Sequence, residues 1–140
     1  MEPDDVRVVM LLADAAQEVG GKIYALGLGW QIAGPGAPSA IVVRLEHPAP
    51  GRPEHHSFQL RLFDQDGKAV AGPDGAAIVI DGNLNIGPPQ FTELPAQTAI
   101  VVNISPLPLE PGGRFEWRFF LDEQTRDDWA VEFSTRSGRP

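Results

Sequence analysis

The chain has 140 residues and no cysteine. That single absence excludes disulfides, thiolate catalysis, zinc ribbons and iron–sulfur ligation. It fits a reducing compartment without requiring one. Clustered basic residues are also missing: 11 Lys and Arg stand against 19 Asp and Glu, a formal net charge of −8. Phosphate binding needs grouped cations that displace counterions, so the composition argues against a nucleic-acid partner. No stretch approaches the ~20 apolar residues of a membrane-spanning helix. Long amphipathic helices are absent too, because no extended segment carries a 3.6-residue apolar stripe free of glycine and proline. Asp14–Glu18 and Pro89–Leu94 are the best helical candidates, one turn each.

The N-terminus offers one false lead. Val8–Leu12 followed by Ala13-Asp14-Ala15 imitates a secretory signal and its small-residue cleavage site. The residues before it are acidic where a signal is basic, and its apolar run is about five residues against the roughly 7–15 required. The expected location is cytoplasmic. By length the whole chain, 1–140, reads as one domain, large enough to bury roughly 68–70% of its unfolded surface.

What the chain does have is punctuation and alternation. It carries 15 glycines and 14 prolines, scattered between apolar stretches rather than massed in a tail. In Arg114–Asp122, the residues Phe115, Trp117, Phe119 and Leu121 fall on one face; Trp129, Val131 and Phe133 repeat the pattern after a short polar linker. A period of two with large apolar groups means half-buried strands, here a hairpin with Trp117 and Trp129 in the core. Further strands are expected at Val6–Ala13, Lys22–Ala33, Ala40–Glu46, Ser57–Asp64, Ala77–Ile86 and Thr98–Ser105. The first is almost wholly apolar, which suggests burial on both faces or a central place. Gly27 and Gly29 suggest a bulge or a close backbone approach, and Asp81-Gly82-Asn83 suggests a bulge. About eight short strands with turns between them predict an all-β, two-layer antiparallel sandwich of immunoglobulin-like or jelly-roll type, with a closed barrel as the alternative.

Candidate chemistry is sparse. His47, His55 and His56 lie near Glu46 and Glu54, a set suited to zinc, iron or nickel. His55 and His56 are adjacent, however, so on a strand only one ligates, and Glu46–His56 reads better as a Pro-rich polar connection. Asp64-Gln-Asp66-Gly67, with Asp122, Asp127 and Asp128, suggests calcium, yet Asp-x-Asp-Gly is also a common hairpin turn. The four serines sit outside any nucleophile elbow, and the Gly-Gly pairs open no helix that would cradle phosphate. No cofactor motif is present. Among aromatics, Trp30, Phe63 and Phe120 are the candidates for an exposed contact surface, the last two because they sit on otherwise polar strand faces.

Two stretches carry a resemblance. Val8–Trp30, with its Ala-Asp-x-Ala-Gln segment and glycine-rich run to Trp30, resembles the opening of a bacterial, largely actinobacterial, family of uncharacterised single-domain proteins. Pro106–Arg118 is similar to that family's Pro-Gly-x-Tyr-x-Trp closing hairpin, with Phe115 at the tyrosine. The resemblance implies a β-sandwich domain of unknown function and transfers no site residues. Together these features point to a non-enzymatic binding or assembly module that engages a protein partner or itself, in the latter case as a homodimer. The alternative is a sandwich binding a small molecule, carbohydrate or metal, with cupin-like or hydrolase activity; a structural part of a larger particle is a third reading.

Overall fold

The computed structural model describes residues 1–34, 36–88 and 94–137. After a 3₁₀ turn at Pro3–Asp5 come ten strands: β1 (Arg7–Ala13), β2 (Ala15–Val19), β3 (Lys22–Leu26), β4 (Ile32–Ala33), β5 (Ser39–His47), β6 (Glu54–Asp64), β7 (Val79–Ile86), β8 (Ala96–Ile104), β9 (Arg114–Leu121) and β10 (Ala130–Thr135). Three of them form a sheet in the order β1-β5-β8, and five form a second sheet in the order β4-β10-β9-β6-β7. All pairings are antiparallel except the two-residue contact of β4 with β10. Among the described residues no helix is long and apolar enough to cross a membrane.

The alternating side chains explain why the two sheets face each other. Met10, Leu12, Ile41, Val43, Leu45 and Ile100 point inward from the first sheet, against Phe58, Leu60, Leu62, Trp117, Phe119 and Leu121 from the second. Trp117 is 1% exposed and Trp129 0%, as the alternation predicts. Phe119 lies between Phe58 and Trp129, with ring centroids 6.0 and 5.9 Å away. Such aromatic contacts add to the area term of a well-packed core.

Several local expectations are corrected. The described residues form ten strands where about eight are expected, because two segments divide differently. Asp14–Glu18 is not a helical turn: Ala15–Val19 is β2, folded onto β3 through Gly20-Gly21, whose φ values of 58° and 81° match a two-residue hairpin turn. Lys22–Ala33 is not one strand. Gly27 and Gly29 take positive φ, ending β3 and leading the chain to β4 on the other sheet. The Pro-rich connection is shorter than expected, since β5 continues through His47 and β6 begins at Glu54. β1 is an edge strand rather than a central one, and its Val9 remains 47% exposed. The helical candidate Pro89–Leu94 lies, apart from Leu94, outside the described residues.

No bulge interrupts Asp81-Gly82-Asn83, which pairs with Gln59-Phe58-Ser57 in unbroken register. Gly82 is needed for a different reason. The Phe58 ring lies over it, and a Cβ would sit 2.3 Å from ring carbon Cζ. Gly82→Ala is therefore expected to destabilise the fold by about 1–3 kcal/mol through overpacking. The smaller ring-free side chain in Phe58→Leu should absorb part of that loss in the double variant. Denaturant unfolding of the two single variants and the pair checks this; strict additivity would refute the contact.

Candidate binding surface

The first sheet is apolar on both sides. Its outer face carries Val9, Leu11 and Ala13 from β1, Ala40 and Val42 from β5, and Ala99 and Val101 from β8. A solvated sheet face is normally polar, so this one needs a cover. The β2–β3 ribbon supplies part of it. Ala16 and the inward residues Ile23 and Ala25 pack on Ala13, Ala40, Val42 and Val101, forming a second, smaller apolar cluster. Small side chains let the ribbon lie close.

One side chain fixes its position. Asn103 accepts from the Ala16 N–H at 3.2 Å and donates to the Ala16 carbonyl at 2.8 Å, so the amide stands in for a neighbouring strand. At the other end, Gly27 takes a positive φ where a Cβ would meet the Asp14 carboxylate at 2.3 Å. The Asp14 N–H donates to the Leu26 carbonyl at 2.9 Å, and the Gly29 N–H to Leu12 at 2.7 Å. These contacts turn the chain out of β1, along the ribbon and back past the β1 edge.

The cover is itself apolar outside. Ribbon pairs Ala15–Leu26 and Gln17–Tyr24 point away from the sheet, leaving Leu26 72% and Tyr24 54% exposed. Val9, Leu11, Val19, Tyr24, Leu26 and Leu28 are six of the nine exposed large hydrophobics among the described residues, and all six come from residues 9–28. An open hollow of about 540 Å³ borders the ribbon, lined by Ala15, Gln17, Tyr24 and Leu26 among others. Arg7, Arg44 and Glu46 lie at the rim, with Arg7 3.2 Å from Glu46. An apolar centre with a charged rim is the anatomy of a protein-contact surface.

Comparison with known proteins adds one match: a model of a family of unknown function, DUF6941, covers residues 8–133. The chain belongs to this family. No curated protein matches it, and no solved structure does. The match takes in the ribbon, both sheets and the closing hairpin of this DUF6941 domain.

The three expected contact aromatics lie elsewhere and are half-buried. Trp30 packs edge-on against Phe133, with centroids 6.1 Å apart. Phe120 sits on the outer face of the second sheet with the Arg61 guanidinium 4.0 Å above its ring. Phe63, on the same face, is paired across strands with Glu116. The ribbon's apolar face is hidden in the sequence because Asp14–Glu18 also suits a single helical turn. The signal that finds it is Gly20-Gly21 between Val19 and Lys22, a two-residue hairpin turn.

The titratable candidates of the DUF6941 domain fall into separate places. Glu46 pairs with Arg7 on the outside of the first sheet. His47 is buried, with its two ring nitrogens 3.0 Å from the Pro48 carbonyl and 2.9 Å from Thr98 Oγ1. It borders a side opening of about 550 Å³ between β7 and β8. His55 faces outward, 2.9 Å from Asn85 Oδ1. Only Glu54 and His56 meet, and they do so with Asp122, a partner 66 residues away that no local pattern signals. Asp64 accepts from the N–H groups of Asp66 and Lys68, closing its own turn. No group of three or more His, Asp or Glu positioned to hold a metal ion occurs among the described residues.

His56 Nδ1 is 2.5 Å from Asp122 and Nε2 is 3.3 Å from Glu54. With both carboxylates ionised, each contact needs an N–H, so both bonds are complete only for the imidazolium. Asp122 Oδ1 also accepts from the Ser57 N–H at 2.9 Å, while its own N–H donates to the Ser57 carbonyl at 2.8 Å. Asp122 and Glu123 have φ values of 48° and 68°, so this turn holds two non-glycine residues in the left-handed region. The cluster has no hydroxyl nucleophile bonded to it. It is a clamp that ties the turn after β9 to β6.

Burial pushes the Asp122 carboxyl up, but the hydrogen bonds from His56 and Ser57 outweigh it and hold it below the usual carboxylate range. The folded chain thus binds fewer protons here than the unfolded chain. The stabilisation is full above the ordinary aspartate range and is lost as pH falls through the lowered folded value. Asp122→Asn should therefore be less stable than the parent at neutral pH, with the gap closing below about pH 4. Denaturation midpoints across that range measure it; a gap independent of pH would show that the charge has no part in the clamp.

Proposed function

We propose that this protein is a cytoplasmic, non-enzymatic binding or assembly module whose working surface is the apolar flank formed by β1 and the β2–β3 ribbon. One observation carries the reading: six large hydrophobic side chains from a single short stretch stand exposed on the flank, although the same stretch built its own cover for the sheet beneath. A domain gains nothing in stability from Leu26 or Tyr24 in solvent, whereas a partner that buries a large aliphatic or aromatic side chain gains roughly 1.5–3 kcal/mol from each.

The polar groups at the competing sites are taken up by contacts within the protein. The ring nitrogens of His47 and His56 are already engaged by protein atoms. The side opening between β7 and β8 has Leu84 and Ile86 in its wall, and the His47 ring that borders it already faces the Pro48 carbonyl and Thr98 Oγ1. The cysteine-free composition suits the cytoplasm.

The test is a photo-reactive phenylalanine analogue placed at position 26 of the full chain in living cells. Illumination is expected to yield discrete protein adducts, of whatever partner. The same probe at position 79, an exposed valine on β7, an edge strand of the second sheet, should yield none. Absence of adducts at 26, or equal adducts at both positions, would overturn the assignment of this surface.

A further inference from the structure

Resting on that reading of the surface, we infer that its occupant is a second copy of the same chain, related by a two-fold axis with ribbon against ribbon. The first argument is charge. The chain carries a net −8, but the flank does not share it: Arg7, Lys22 and Arg44 balance Asp14, Glu18 and Glu46, three against three. A basic partner would be drawn to the acidic remainder of the molecule. A neutral flank whose rim holds both signs is complementary to itself, which is what a two-fold contact requires, because each patch meets its own copy. Repulsion between the two acidic bodies acts at longer range and is screened beyond about 8 Å in physiological salt.

The second argument is area. The six exposed side chains, together with the alanines and stems around them, offer on the order of several hundred Å², comparable to the ~800 Å² each partner contributes to a standard interface. The third is shape. Tyr24 and Leu26 project from the ribbon at the border of its hollow of about 540 Å³. Projections and a receiving space on one patch let each copy fill the other, and a large side chain seated centrally is the usual energetic anchor of a contact.

Sedimentation velocity and light scattering of the full chain, from low to high micromolar concentration, test the inference. The parent is expected to be a dimer whose affinity holds or strengthens as sodium chloride is raised, because salt screens the net repulsion. Leu26→Glu should weaken dimerisation by about thirtyfold or more, as loss of an anchor of ~2 kcal/mol does. Val79→Glu, carrying the same added charge on the β7 edge of the second sheet, should remain dimeric. Tyr24→Ala adds no charge and should also weaken the dimer, so a folding failure of Leu26→Glu leaves the question answerable; circular dichroism monitors both. A parent that stays monomeric at every concentration, or variants at 24 and 26 that dimerise unchanged, would overturn the second-copy inference. If the chain is monomeric yet the probe at position 26 still captures a different protein, the surface assignment survives and only the identity of the occupant falls.

Discussion

A three-stranded sheet with apolar side chains on both faces needs two covers, and this constraint organises the molecule. The inner face, with Leu12, Ile41, Val43 and Ile100, is covered by the five-stranded sheet and its aromatic residues. The outer face receives only a two-stranded ribbon. Isolated two-stranded ribbons are marginal in water, so each depends on the other: the sheet anchors the ribbon, and the ribbon hides Ala13, Ala40 and Val42 from solvent.

The economy of that second cover has consequences for function. Alanines at the contact bring the ribbon close, and the Asn103 amide supplies the backbone pairing that a third neighbouring strand would otherwise provide. Two strands do not span the whole sheet face, so Val9 and Leu11 stay in solvent. The ribbon then turns Tyr24 and Leu26 outward on its remaining face. A partner that completes the burial on this side finishes what the chain's own fold begins. By contrast, the outer face of the second sheet, where Gln59, Arg61, Glu116 and Arg118 are half-buried, is an ordinary hydrated surface with ion pairs such as Arg118–Glu116.

Much of this was legible in the residues, for a definite reason. The closing hairpin is written in period two with large side chains, and nothing but a half-buried strand satisfies Phe115, Trp117, Phe119 and Leu121 together. The two-layer antiparallel architecture follows from it and from the glycine and proline punctuation. The errors cluster where period two is weakened. Ala15–Val19 contains two alanines, a glutamine and a glutamate, a composition compatible with helix, and only its pairing with Lys22–Leu26 makes it a strand. The continuous apolar run of β1 suggests burial on both faces or a central place, whereas half of its side chains face a cover that is incomplete. Asp122 joined His56 only through tertiary placement, since residues 56 and 122 share no local pattern. The family to which the chain belongs carries no assigned activity, so the surface has to be argued from the ribbon and the sheet themselves.

The central claim is that the ribbon is a docked cover held by Asn103, and amide hydrogen exchange at Ala16 tests it most directly. In the parent protein the Ala16 amide should exchange slowly, protected by the Asn103 side chain. In Asn103→Ala that protection should be lost across residues 15–26, while the amides of β9 beside Trp117 keep theirs. Rapid exchange at Ala16 in the parent, or protection unchanged by the substitution, would contradict the account.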